Sequence, residues 1–186
     1  RDLRMSRGLG DVYKRQLLGF IVEKATGEKL SDYVSRKLWT PMHAEESALW
    51  SLDRKDGMEK AYCCFNSNAR DFARFGQLLL NNGQWDDRQL ISPAYLAEAT
   101  SPDTRLVYKD LGKPNHCYGF QYWILDYKGM KIPYMRGILG QYVFTLPEKN
   151  AVIVRLGHKR SDTYTADQHY PDDINTVSYT HLRAHE

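Results

Sequence analysis

The sequence is short of most features that would narrow its class at once. It has three cysteines in 186 residues, Cys63, Cys64 and Cys117, too few for the disulfide framework of a small secreted domain. Adjacent Cys63 and Cys64 are expected to be small buried residues rather than a redox pair or metal ligands. No apolar run approaches the ~20 residues that cross a bilayer, and the first residues lack the apolar core of a signal peptide. His43, His116 and His169 have no metal-ligand spacing between them. There is no internal repeat and no low-complexity linker.

An excess of one charge is also missing from most of the chain. The formal net charge is +3. Residues 1–16 hold five basic and two acidic side chains, whereas residues 17–175 hold 20 of each sign. That balance excludes the basic face of a nucleic-acid binder. Residues 1–16 and 176–186 show no helical or strand period and resemble translated sequencing adapter. They are expected to be a non-native head and tail, leaving 17–175 as the domain.

What is present is a globular composition, 42% hydrophobic and 12% aromatic, with enough chain for one core. Leu17, Leu18, Phe20, Ile21, Val22 and Ala25 recur at helical spacing up to Thr26-Gly27. A second short helix is expected from about Ser31 to Leu38, ended by Thr40-Pro41. Asn66 or Ser67 can cap a third, with Phe72, Phe75, Leu78 and Leu79 on its apolar face and Asn81-Asn82-Gly83 at its end. Ser92-Pro93 opens a fourth.

After Pro114 the period becomes extended. "CYGFQYWILD" and "MKIPYMR" flank Tyr127-Lys128-Gly129, and Tyr142–Leu146 and Ala151–Leu156 flank Pro147-Glu148-Lys149-Asn150. Helices followed by a meander of about four antiparallel strands make the class α+β. The last hairpin opens on Arg136-Gly137-Ile138-Leu139-Gly140-Gln141. Such glycines suit a tight turn or bulge. They also suit a backbone N–H turned into a cleft to receive charge on a carbonyl oxygen. Trp50, Trp85 and Trp123 are expected in the core or a cleft wall. Asp71 is expected to pair with Arg70, Arg74 or Arg155. Asp172-Asp173 read as the N-terminal cap of a further helix.

Four segments, "LLGFIVEKATG", "AYCCFNSNARDFARFGQLLLNNGQW", "YGFQYWIL" and "RGILGQYVFTLPEKNAVIVRLGH", occur in this order. Together they resemble the C-terminal half of the serine β-lactamase-like hydrolases, which include class C β-lactamases, D-alanyl-D-alanine carboxypeptidases and related esterases. The resemblance covers about residues 17–175. It implies the β-lactamase/transpeptidase-like fold and cleavage of an ester, amide or β-lactam through an acyl-enzyme. It implies no metal or cofactor, a small-molecule or peptide-like substrate, and a periplasmic or envelope location.

By the same resemblance, Met135-Arg136-Gly137 stands at the family's Lys-Thr-Gly box and the Ile138 N–H forms half of the oxyanion hole. Gly137 lies beside it. Tyr62, Arg136, Gly140 and Gln141 are implied on the substrate side. No Ser-x-x-Lys occurs at the family's position: Ser67-Asn68-Ala69-Arg70 ends in arginine, and Ser35-Arg36-Lys37-Leu38 fails the spacing. Tyr13-Lys14-Arg15 likewise fails the Tyr-x-Asn box. The chain is therefore expected to be a portion without its nucleophile and inactive as it stands. Met135, where the family carries lysine or histidine, leaves room for a non-catalytic ligand-binding relative. A free-standing α+β interaction module is the third reading.

Overall fold

The computed structural model describes residues 3–108, 112–165 and 170–174. The 176–186 tail and His169 lie outside the described residues. Contacts divide the chain into two compact units, Arg1–Asp71 and Phe72–Glu186.

The first unit opens on helix α1, Leu3–Thr26. It starts well before the apolar spacing from Leu17 would place it. Gln16 ties it to the loop beyond: Nε2 donates to the Glu59 carbonyl at 3.0 Å, and Oε1 accepts from the Ala61 N–H at 3.0 Å. Helix α2, Leu30–Val34, runs into a π-helical turn over Ser35–Trp39, close to the expected second helix. Residues 45–60 are irregular, apart from a two-residue ladder in which Leu49 and Trp50 pair with Asn66 and Phe65. Cys63 and Cys64 depart from expectation. They are half-buried and exposed respectively, and they are bonded to each other as a disulfide. The Cys64 backbone sits at φ 71°, which reverses the chain just before Phe65. Adjacent cysteines read as small apolar residues in sequence because nothing local marks such a reversal. Cys117 is buried and forms no disulfide.

Helix α3, Ala69–Leu80, is capped by Asn68, whose Oδ1 accepts from the Asp71 N–H at 2.8 Å, so the cap sits one residue beyond Ser67. Asp71 is fully buried, and its carboxylate serves the loop that precedes it. Oδ1 accepts from the Glu45 N–H at 2.7 Å, and Oδ2 accepts from the Glu46 N–H at 3.1 Å and Asn68 Nδ2 at 2.7 Å. It pins an irregular loop whose amides have no secondary structure to satisfy them.

In the second unit α3 ends as read, with Asn82 and Gly83 at positive φ and the Gly83 N–H returning to the Leu78 carbonyl. Helix α4, Pro93–Ala99, carries Ser92 as its N-cap and buries Leu96 and Ala99. The meander follows: β1 Trp123–Tyr127, β2 Met130–Arg136, β3 Tyr142–Leu146 and β4 Ala151–Arg155, all antiparallel in the order β4-β3-β2-β1. Lys128 and Gly129 both take positive φ, the two-residue turn that matches strand twist. Every β3 residue is buried, so this strand is covered on both faces. Tyr142, Phe144 and Leu146 join Leu125, Ile132 and Tyr134 in the main cluster. On the other face Val143 and Val152 meet α3 at Gly76, where an added Cβ would lie 2.5 Å from Val152 Cγ1.

Because Asp71 satisfies loop amides by charge-assisted bonds, Asp71→Ala is expected to cost about 3 kcal/mol, and Asp71→Asn clearly less since one acceptor oxygen remains. Denaturant midpoints of the two variants against the parent chain check this ordering.

Candidate active site

Five of the six residues singled out in sequence fall in one turn between β2 and β3. Arg136 ends β2 opposite Tyr142, and the Gly137 N–H donates to the Gln141 carbonyl at 2.8 Å, closing a loop of five residues. Within it the Gln141 side chain acts as a brace. Oε1 accepts from the Leu139 N–H at 3.0 Å, while Nε2 donates to the Gly157 carbonyl at 2.6 Å. The Ile138 N–H has no hydrogen-bond partner among the described residues, and its side chain is 75% exposed. The turn therefore fixes the amides on either side and leaves one donor unspent.

The glycines are demanded by the chain itself. Gly137 does not adopt positive φ, but a Cβ there would lie 2.5 Å from Gln141 Oε1 and 2.9 Å from its Cβ. Glycine at 137 is what lets Gln141 fold back over the turn. Gly140 has φ 81°, and a Cβ would meet Arg155 Nη1 and the Lys159 carbonyl, each at 2.6 Å.

A charged network behind the turn holds it against the strand end. Arg155 Nη1 donates to the Gly140 carbonyl at 3.2 Å and to Asp173 Oδ2 at 2.7 Å. The Tyr142 hydroxyl donates to Asp173 Oδ1 at 3.2 Å. Burial, and next the Asp173 charge, push the Tyr142 phenol up to about 12, so it remains a donor at ordinary pH. Asp173 and Ile174 are helical, in keeping with the helix start read at Asp172-Asp173, and Asp173 also supports the turn.

The remaining candidates divide. The Arg136 guanidinium lies 3.5 Å from the centroid of the Trp123 ring, a close cation–π stack that places a cation at the mouth of the turn. Tyr62 is half-buried in the first unit, two residues before the Cys64 reversal. His43, His116 and His158 are exposed, and no group of three or more metal-ligating side chains forms among the described residues. Reasoning from sequence found the glycines and Gln141 but missed Arg155, Asp173 and Tyr142. Their only signal was an arginine closing a strand otherwise made of Ala151, Val152, Ile153 and Val154.

Comparison with known proteins adds an independent reading. The family model for β-lactamase matches residues 13–174. The 6-aminohexanoate-dimer hydrolase of Paenarthrobacter ureafaciens is 27% identical over 144 residues, covering 75% of this chain and 36% of that protein. A solved structure from Bacillus anthracis assigned as a 6-aminohexanoate-dimer hydrolase superposes with TM-score 0.73 at 27% identity, over 90% of this chain and 41% of that one. A penicillin-binding protein homologue of Caulobacter crescentus shares the fold, with TM-score 0.59 at 15% identity over 82% of this chain and 53% of its own. The chain thus spans less than half of the two hydrolases.

The two glycines should respond differently to a methyl group. Gly137→Ala crowds the Gln141 side chain at its end and at its Cβ, whereas Gly140→Ala combines positive φ with a clash against a backbone carbonyl. The expected losses are about 1 kcal/mol at Gly137 and above about 2 kcal/mol at Gly140. Chemical denaturation of both variants tests the order, and equal losses would contradict this account of the turn.

Proposed function

This chain belongs to the β-lactamase family of hydrolases, and from that premise we propose that it carries the oxyanion side of a serine hydrolase acting through an acyl-enzyme. The observation that carries the reading is the Ile138 N–H, an unspent donor on a turn whose neighbouring amides are fixed. When a nucleophile attacks a carbonyl carbon, charge gathers on the carbonyl oxygen. A donor already aimed at that position stabilises the transition state without reorganising. Gly137 lets Gln141 fold back across the turn, Gly140 and Gln141 hold it, and Arg136 is the group assigned to substrate contact.

The substrate is a small-molecule or peptide-like acyl compound. A relative acting on the dimer of 6-aminohexanoate, whose halves are joined by an amide, favours an amide or ester over a strained lactam. Met135 supports this direction, because it supplies no cation at the position where the family's lysine or histidine stands. The serine nucleophile and its base belong to sequence outside these 186 residues. The chain alone lacks the covalent route and is inactive as it stands. A ligand-binding relative without chemistry is the second reading, and the same Met135 favours it.

In the longer protein with its serine restored, a chromogenic ester should give an acyl-enzyme burst. Replacing the Ile138 amide by a backbone ester, which deletes one N–H and keeps every side chain, should slow acylation by about a hundred- to a thousandfold. The denaturant midpoint should hardly move. An unchanged acylation rate would remove Ile138 from the mechanism. A longer protein that folds, binds the ester and shows no burst would favour the ligand-binding reading.

A further inference from the structure

Cys63 and Cys64 are bonded to each other, so a disulfide closes a small ring around the single peptide bond that joins them. Cys64 is exposed and Cys63 half-buried, which leaves the pair open to a reagent from solvent. The hydrolase reading gives this disulfide no part, and the two stand or fall separately.

Its place in the backbone gives it a structural consequence. Cys64 sits at φ 71°, a left-handed conformation that is unfavourable for a residue with a Cβ unless its surroundings hold it. Three donors converge on the carbonyls of this reversal. Trp50 Nε1 donates to the Cys63 carbonyl at 3.0 Å. The Ser51 N–H and Asn66 Nδ2 donate to the Cys64 carbonyl at 3.1 Å and 2.9 Å. Just beyond, Phe65 pairs with Trp50 in the short ladder and meets its ring edge-on at 5.2 Å. Trp50 and Phe65, with Trp39, line a cavity of about 510 Å³ within the first unit. The disulfide thus locks the reversal on which an aromatic wall of that cavity is built.

We propose that Cys63–Cys64 is a redox site: a dithiol reductant opens it, the reversal at Cys64 relaxes, and the Trp50–Phe65 wall loosens. A thiolate of the reductant attacks Sγ of Cys64, the exposed member, and Cys63 leaves as a thiolate. The second thiol of the reductant then attacks the mixed disulfide, releasing the Cys64 thiolate and leaving the reductant as a cyclic disulfide. Two electrons and two protons pass from the reductant to the cysteine pair. Oxidised glutathione reverses the exchange, taking up the same two electrons and two protons as two glutathione thiols. Once the ring is open, only hydrogen bonds hold Cys64 at positive φ. The segment then shifts toward conformations that a residue with a Cβ prefers.

The test uses the 186-residue chain, oxidised with glutathione disulfide and then treated with dithiothreitol. Iodoacetamide trapping with mass spectrometry reads the state of each cysteine, and hydrogen–deuterium exchange reads the backbone. New thiols are expected at Cys63 and Cys64, and they should disappear when glutathione disulfide replaces the reductant. Exchange across residues 49–66 should become about tenfold faster on reduction, while residues 123–155 keep their rate. Cys63→Ser combined with Cys64→Gly removes the disulfide and supplies a residue at ease with positive φ. It should exchange more slowly over 49–66 than Cys63→Ser combined with Cys64→Ser, and neither should respond to reductant. Failure of the disulfide to form, failure of dithiothreitol to open it, or exchange over 49–66 that ignores its opening would each overturn the proposal. Equal acceleration in both units would overturn it too, since that marks general unfolding. Equal exchange in the two double variants would remove the reversal at Cys64 from the switch. Where the double variants do not fold, the thiol state and exchange of the parent chain decide.

Discussion

The second unit depends on one close approach, that of the Gly140 carbonyl to the end of the last strand of the meander. Arg155 bridges it to Asp173, and Tyr142 closes the network from within the sheet. The bridge is short, partly buried and charge-assisted, so it is worth more than a surface ion pair. Its geometric consequence is larger than its energy. With Gly140 fixed by Arg155, and Leu139 and Gly157 joined by Gln141, the intervening Ile138 amide has little freedom to find a partner of its own. The oxyanion role proposed for Ile138 calls for a donor whose neighbours are held in this way. The same arrangement explains why glycine is needed twice for reasons that differ: a side chain folded across Gly137, and a backbone reversal at Gly140.

Much of this fold was legible because its strands carry their own signals. Met130–Arg136 and Tyr142–Leu146 were read to the residue, since the turns between strands are marked by Lys128-Gly129 and by Pro147 with Asn150. The β3 strand shows how far that reading goes. It has no alternation, because one face joins the aromatic cluster while the other lies under α3 at Gly76, and a strand covered twice is apolar throughout. Helix ends were less legible. The cap of α3 proved to be Asn68 rather than Asn66 or Ser67, since three neighbouring polar residues are equivalent until the fold chooses one.

The candidate site was legible as a segment and illegible as a mechanism of support. Gly137, Ile138, Gly140 and Gln141 were visible because they are contiguous. Arg155 and Asp173 were not, because they come together across 18 residues of sequence separation and neither type is rare. Long-range polar partnership leaves no periodic trace. The Cys63–Cys64 disulfide was hidden for the opposite reason: its residues are adjacent, and only the reversal at Cys64 makes the pair meaningful.

The two buried carboxylates of the first unit differ in how fully the fold satisfies them. Both are nearly inaccessible, Asp71 at 0% and Glu59 at 3%, and both serve backbone amides of loops or helix starts. Asp71 spends both oxygens, on the Glu45 and Glu46 amides and on Asn68. Its position is explained by the fold alone. Glu59 spends one oxygen on the N–H and hydroxyl of Ser31, at the start of α2, and its other oxygen is sealed inside the unit without a hydrogen-bond partner.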